Sequence, residues 1–280
     1  MSSHDHSSPA GSPVFPGARP RIRILHLYDR YLNIYADRGN IQLLRQRAAW
    51  RGIDVDVQGL DPGETFEPGE HDLIYVGGGQ DRDQAMIAER MSVDLTQSIK
   101  AASEEGTALL AVCGGYQLLG SHYLDTNGVH QPGVGLFDLS TEASDTRLIG
   151  NVAIEVELPA IGDRPAVQGV VAGFENHAGR TSLGSSARPF GSVMHGAGND
   201  GSSGFEGCRL HHAIGTYLHG PLLPRNPELA DWLLAAALAH AHGSEAASLI
   251  DAGDTIPEPV RRLEARARAA SIARAKAEKR

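Results

Sequence analysis

Apolar positions in the first part of this chain come in short runs that end abruptly. RIRILHLY (21–28) and IDVDVQGL (53–60) are apolar and partly alternating, HDLIYVGGGQ (71–80) runs into three glycines, and TALLAVC (107–113) stops at a cysteine. Runs of this length, alternating or unbroken by polar residues, predict strands. Between them, DRGNIQLLRQRAAWRG (37–52) places Ile41, Leu44 and Ala48 on one helical face with Leu43 beside them, and Gly52 stops the helix. A further helix of about twenty residues is predicted over roughly 83–102. Strands alternating with helices at these intervals imply βαβ units, and so an α/β fold with a doubly wound, mostly parallel sheet.

After residue 130 the pattern changes. GVGLFDLST, RLIGNVAIEVEL and QGVVAGFENH are strand-like, with turns predicted at Gly150–Asn151 and Gly162–Asp163, so an additional antiparallel or mixed β section is expected. AIGTYLHG (213–220) reads as a last buried strand. NPELADWLLAAALAHA reads as a helix opened by Asn226 or Pro227, with Asn226 as its cap. Residues 1–20 are rich in Ser, Pro and Gly and are expected to be a flexible tail, with His4 and His6 solvated in it. Residues 21–242 are expected to form the domain and 243–280 a C-terminal extension. The charged, Ala-rich stretch 258–280 suits a helix, an interaction arm or a frayed tail, and the pattern does not choose among them.

Composition acts mainly by exclusion. The 280 residues are 41% hydrophobic and 21% charged, ordinary for a globular protein, and the formal net charge of −9 argues against broad nucleic-acid binding by the folded body. Two cysteines, Cys113 and Cys208, are too few for a disulfide framework and point to a reducing compartment. No stretch reaches the roughly 18 apolar residues of a membrane span, and the N-terminus lacks a basic-then-apolar leader. A cytoplasmic location without an integral membrane segment is expected.

The chemistry concentrates where the apolar runs stop. In TALLAVCGGYQLLG (107–120) a strand ends at Cys113, two glycines follow and a short helix begins, the pattern of a nucleophile elbow. A helix N-terminus beyond the sulfur favours thiolate over thiol. The bland alternative is a buried core cysteine. A cysteine nucleophile needs a base and oxyanion donors. His219, at the end of TYLH and before Gly220–Pro221, is the preferred base among thirteen histidines, although it lies 219 − 113 = 106 positions away. His177 in FENHAGRT is a rival expected to line the site, while His211 and His212 are expected to be solvated or packed. One oxyanion N–H is expected from Gly114. The other is expected from the GGG turn near Gly78 or Gly79, with Gly79 as the donor and Gly78 beside the substrate. Parallel sheets put ligands beyond their carboxyl ends, where both glycine clusters fall.

GGGQD (77–81), VCGGYQLLG (112–120) and TYLHG (216–220) together resemble the class I, or triad, glutamine amidotransferases, which have a flavodoxin-like core. More narrowly they resemble the branch holding the glutamine domains of cobyrinic and cobyric acid synthases. GFENHAGRT (173–181) with TRLIGN (146–151) is similar to a narrower family, the glutaminase (GatD) subunits of lipid II isoglutaminyl synthases. The resemblance covers roughly residues 21–242. It implies that Cys113 attacks the side-chain amide of L-glutamine and that His219 passes a proton to the departing ammonia. Arg147 is then either the guanidinium that grips the α-carboxylate or a surface charge. Gln117 either contacts the same ligand or supports the elbow. Most of the superfamily carries a glutamate two residues after the histidine; here Pro221 stands there, as the cobyric acid branch also departs from that pattern. The orienting carboxylate is therefore expected from elsewhere in the chain or from a partner. The chain has no P-loop, so no cofactor is expected in it. ATP and Mg²⁺ are expected on a separate Mur-ligase-like (MurT-like) synthetase that forms a heterodimer with it and amidates D-glutamate of the lipid II stem peptide in peptidoglycan biosynthesis.

Three rivals remain at this stage. A cobyric acid synthase-type glutaminase serving a corrinoid partner differs only in the acceptor. A cysteine peptidase or γ-glutamyl hydrolase on the same scaffold would need no synthetase. A non-catalytic binding module would keep the sheet without needing CGG and YLH together.

Overall fold

The computed structural model describes residues 19–33, 38–79, 81–252 and 255–278. Most of the expected tail over 1–20, including His4 and His6, lies outside the described residues, as do Asp37 and Gln80. The first half alternates as the pattern predicts: β1 (Arg21–Leu27), α1 (Arg38–Ala49), β2 (Asp54–Leu60), β3 (Leu73–Val76), α2 (Asp81–Arg90), α3 (Val93–Glu104), β4 (Ala108–Val112) and α4 (Gly114–Leu118). A β-rich section follows, with β5 (His122–Leu124), β6 (His130–Pro132), β7 (Leu139–Leu158), β8 (Val167–Leu183), β9 (Gly191–His195), β10 (Phe205–Glu206), β11 (Cys208–Leu210) and β12 (Ala213–Thr216). The chain closes with α5 (Pro227–His242), α6 (Leu249–Ala252) and α7 (Glu258–Ala277).

The first sheet has the order β11-β12-β4-β3-β1-β2 and is parallel except at the β11–β12 edge. Every residue of β3, β4 and β12 is buried, as a parallel sheet covered on both faces requires. Helix α5, buried from Leu229 to Leu238 apart from Asp231, rests on β1 and β4 and packs against α1. Its one charged intrusion is compensated: Asp231 accepts from Arg47 (2.6 and 2.7 Å) and from Arg51 (2.9 Å), and Arg47 also pairs with Glu264 of α7.

The second sheet is mixed, as expected of this section. β8 runs antiparallel along one edge of the long β7, while β5 (parallel) and β9 (antiparallel) take the two ends of its other edge. The sheets are stitched where β8 meets the chain leaving β12. Phe174 and His219 exchange backbone hydrogen bonds (2.8 and 3.3 Å), and Asn226 brackets both backbone groups of Ala172 (2.9 and 2.8 Å).

Four expectations about local structure are corrected. The single helix over 83–102 is two helices, because Ser92 ends the first and caps the second, its Oγ accepting the Leu95 N–H at 3.0 Å. Gly150–Asn151 is no turn; both residues pair with β8 inside β7, a long ladder overriding local turn chemistry. The strand expected at 213–220 stops at Thr216. Asn226 does not cap α5: its amide is committed to Ala172 and Leu222, and Pro227 at the first helical position needs no cap for its missing N–H. The stretch 258–277, left open by its pattern, is helix α7, and Glu278 just beyond it binds the Asn151 backbone and side chain (both 2.6 Å).

Gly215 in β12 makes the space in which Tyr116 and Phe137 pack; a Cβ there would lie 2.2 Å from the Tyr116 ring and 2.9 Å from that of Phe137. Both rings are fully buried and have nowhere to move. Gly215→Ala is expected to cost about 1–3 kcal/mol of stability through overpacking, measured as a drop in the urea-unfolding midpoint without a change in slope.

Candidate functional site

Three neighbouring strands, β3, β4 and β12, end at one rim of the first sheet, and each delivers one part of the site. β4 ends in the elbow. Cys113 is buried (6% exposed) at φ 50°, ψ −105°, a left-handed conformation that costs a non-glycine residue of order 1–3 kcal/mol. The turn is held from several sides. Cys113 N–H donates to Thr216 O (2.8 Å), Gly115 N–H to Gly77 O (3.1 Å) and Gln117 N–H to Cys113 O (3.0 Å). The two glycines after Cys113 are close-packed for different reasons: a Cβ on Gly115 would lie 2.7 Å from Val76 O, whereas one on Gly114 would meet the Gln84 side-chain amide, at 1.8 Å. Close approach of backbone is the physical reason for the second glycine, and the Gln84 side chain fills the space beside the first.

β3 delivers Gly77–Gly79, all buried, directly beside the elbow. Gln84 of α2 packs over Gly114 and reaches Gly79, its Nε2 lying 3.5 Å from Gly79 O. The glycine turn and the elbow are thus parts of one cradle.

β12 delivers His219, three residues beyond its last paired residue and 1% exposed. Burial, reinforced by the Arg147 guanidinium, pulls its pKa down to about 4, so the imidazole is neutral at physiological pH and able to accept a proton. The sulfur and the imidazole, far apart in sequence, leave paired strands at the same rim: Val112 is in register with Thr216, and Cys113 is bonded to it.

The wall behind the elbow comes from β8 and the turn after β12. Tyr217, fully buried, lies close enough to Cys113 for the two to interact electrostatically, and burial raises its phenol pKa. Its hydroxyl bonds Thr181 (2.6 Å) and accepts from Gln117 Nε2 (3.1 Å). Gln117 is therefore tied into the wall behind the elbow. His177 stacks on the Tyr217 ring at 3.5 Å, nearly coplanar at 4°. Its Nδ1 donates to Gly179 O (2.8 Å), and burial holds its pKa near 3, so it is a neutral packing ring lining the site. Arg147 stands at the rim with its fork pre-set by Asn176, through Nε to Oδ1 and Nη2 to O, both 2.7 Å. Gly78 lies in the buried turn.

Sequence reasoning missed Glu206 and Tyr217. Glu206 is 0% exposed and binds Thr216 and Tyr217, yet in GSSGFEGC it reads as part of a polar loop. Tyr217 sits inside the quoted TYLHG, but nothing in spacing tells a core tyrosine from a site wall. Cys208 is a buried thiol whose pKa burial pushes up to about 12, which leaves it unreactive. Among the described residues no group of three or more His, Cys, Asp or Glu could hold a metal ion, and no helix is long and apolar enough to cross a membrane.

Comparison with known proteins places these features. Residues 23–227 match the CobB/CobQ-like glutamine amidotransferase domain. The chain is 39% identical over 219 residues (77% of this chain, 84% of the relative) to the lipid II isoglutaminyl synthase (glutamine-hydrolyzing) subunit GatD of Staphylococcus aureus. It is 34% identical over 226 residues (80% and 84%) to the subunit of the same name from Streptococcus pneumoniae. It is 31% identical over 208 residues to the cobyric acid synthase of Sphingopyxis alaskensis, covering 71% of this chain but 38% of that protein.

Burial of neutral histidines fixes the response to acid. His26, His177 and His219 have folded pKa values pulled from 6.5 to about 4, 3 and 4. Below pH 6.5 the unfolded chain therefore takes up protons that the folded chain refuses. Their contribution is complete above pH 6.5 and is lost as pH falls toward 4. Glu206, raised from 4.5 to about 8, works in the opposite sense, stabilising fully below 4.5 and losing that as pH rises through 8, but it is one group against three. The urea midpoint is expected to fall steadily from pH 6.5 to 4.5. His26→Phe, which keeps a ring edge-on to Tyr75 (5.1 Å), is expected to make that fall shallower.

Proposed function

The chain belongs to the CobB/CobQ-like glutamine amidotransferase family, and on that premise we propose that it is the glutamine-hydrolysing subunit of a lipid II isoglutaminyl synthase. In this reading it is a glutamine amidotransferase that releases ammonia from L-glutamine for the amidation of lipid II. The observation that carries the reading is the strained Cys113 elbow bonded to Thr216 O, three residues before His219, where β4 and β12 end in register.

In the reaction, neutral His219 takes the Cys113 thiol proton, and the thiolate attacks the side-chain amide carbon of glutamine. Charge builds on the amide oxygen and is met by backbone N–H groups. Gly115 has its N–H committed to Gly77, so the elbow's donor is Gly114, and Gly79 supplies the other. Each such donor is worth roughly 3–4 kcal/mol in the transition state. His219 then gives its proton to the leaving nitrogen, ammonia departs and a γ-glutamyl thioester remains. Water, deprotonated by His219, attacks the thioester, and glutamate and the thiol are regenerated. Arg147, oriented by Asn176, grips the α-carboxylate with two parallel bonds. Gly78 completes the pocket around the ligand's side chain, and Gln117, bonded to Tyr217, supports the elbow behind it.

A histidine with its pKa near 4 is a weak base until something raises it. Burial and Arg147 both lower it. The orienting carboxylate is assigned to a partner subunit, a Mur-ligase-like (MurT-like) synthetase that binds ATP and Mg²⁺ and receives the ammonia. The cytoplasm is where such a pair would meet its precursors.

The glutamine-analogue chloroketone L-2-amino-4-oxo-5-chloropentanoate is expected to alkylate Cys113 and spare Cys208; an unmodified Cys113, even with the synthetase present, sinks the reading. Cys113→Ala is expected to abolish ammonia release without shifting the melting temperature by more than a few degrees, and Cys208→Ser to leave turnover intact. The isolated chain is expected to be a weak glutaminase that co-purified synthetase accelerates. Full activity without any partner would remove the need for an external carboxylate.

A further inference from the structure

Glu206 is a fully buried carboxyl that no step above uses. It reaches from β10 in the second sheet to the point where β12 stops. Its Oε1 accepts the Tyr217 N–H at 2.6 Å, and the Thr216 hydroxyl donates to its two oxygens at 3.1 and 3.0 Å. The same hydroxyl accepts the Leu218 N–H at 3.1 Å. These two amides are the next donors of the strand had it continued. Side-chain oxygens take them instead, and the chain turns toward His219. On its other side, Thr216 O accepts the Cys113 N–H at 2.8 Å. One residue is thus fastened through its carbonyl to the nucleophile and through its hydroxyl and Glu206 to the turn that carries the base.

We propose that Glu206 is a positioning residue for glutamine hydrolysis, holding Thr216–Leu218 so that the His219 imidazole stays in register with the Cys113 sulfur. The inference rests on the glutaminase reading above. Its chemistry is that of a neutral acceptor. Burial, with Glu175 nearby, raises its pKa to about 8, and Tyr116 and Tyr217, the other titratable groups facing it, are themselves neutral phenols. An amide of the same shape can accept the Tyr217 N–H and still bond the Thr216 oxygen, whereas an alkyl side chain leaves the Tyr217 amide and the Thr216 hydroxyl buried without their partner.

The test compares wild type with Glu206→Gln, Glu206→Leu and Thr216→Val. It uses the full chain with its co-purified synthetase, measuring glutamine-dependent ammonia release and, on the chain alone, the pH profile of Cys113 alkylation by iodoacetamide. Glu206→Leu and Thr216→Val are expected to lose about tenfold or more in kcat with KM for glutamine within about twofold. The alkylation profile should move to higher pH, and the double variant should be no worse than either single one. Glu206→Gln is expected to stay within about threefold of wild type. Folding is checked by thermal melts, and if Glu206→Leu does not fold, Thr216→Val carries the comparison. Folded variants with wild-type kcat and alkylation profile, or a Glu206→Gln loss as deep as that of Glu206→Leu, overturn the proposal. A wild-type protein that neither releases ammonia nor reacts with the chloroketone overturns the glutaminase reading instead, so the two failures are distinct.

Discussion

The site depends on one backbone hydrogen bond, from Cys113 N–H to Thr216 O, made where two parallel strands run out. Parallel pairing fixes the register of β4 and β12 residue by residue, so the end of one strand dictates where the other ends. A cysteine at φ 50° is unfavourable on its own. It persists because the strand before it is wholly buried, the glycines after it admit the Gln84 side chain and neighbouring backbone, and the Thr216 carbonyl holds its amide. The same bond ties the elbow to a strand end three residues short of His219, 106 positions downstream of Cys113 (219 − 113). Strain and burial share one cause.

How much of this is visible in the residues differs by feature. The parallel sheet is legible because its strands are short apolar runs punctuated by glycine, unbroken in the buried β3, β4 and β12 and partly alternating in β1 and β2. The elbow is legible because CGG leaves room for the Gln84 side chain at Gly114 and for neighbouring backbone at Gly115. The ends of elements are less legible. Ser92 divides a helical stretch through one side-chain bond, and Gly150–Asn151 lies quietly within a ladder of paired residues. Both outcomes turn on competition between local and long-range hydrogen bonds, and periodicity records only the local side. Asn226 makes the same point: a residue well suited to cap a helix is taken by Ala172 of another strand. Glu206 is invisible because its partners are a backbone amide eleven residues away (217 − 206) and a threonine hydroxyl ten away (216 − 206), and no spacing announces such a carboxyl.

The electrostatics of the rim favour the resting state. His219 is neutral, Cys208 is locked as a thiol, and the phenols of Tyr116 and Tyr217 are held protonated by burial. A site built this way carries little charge that must be desolvated before glutamine enters. Arg147 opposes the imidazolium that the proposed step forms on His219. A carboxylate brought by a partner would reverse this balance at the moment of assembly. Hydrolysis would then be tied to the presence of a recipient for ammonia, through charge alone and without a large rearrangement.

The two sheets divide the labour. The first supplies the proposed nucleophile Cys113, the glycine cradle and the proposed base His219, set by strand register. The second supplies Glu206, His177 and Thr181, which touch the first through hydrogen bonds and ring stacking, Arg147, which acts on His219 electrostatically, and the Phe174–His219 backbone bridge. Register within a sheet is all or none, because slipping by one residue reverses every side chain. Contacts between the sheets have no such protection and can yield by fractions of an ångström. Any control over the imidazole's approach to the sulfur must therefore act at the seam between the sheets, and the seam is where the buried carboxyl, the stacked histidine and the rim arginine are gathered.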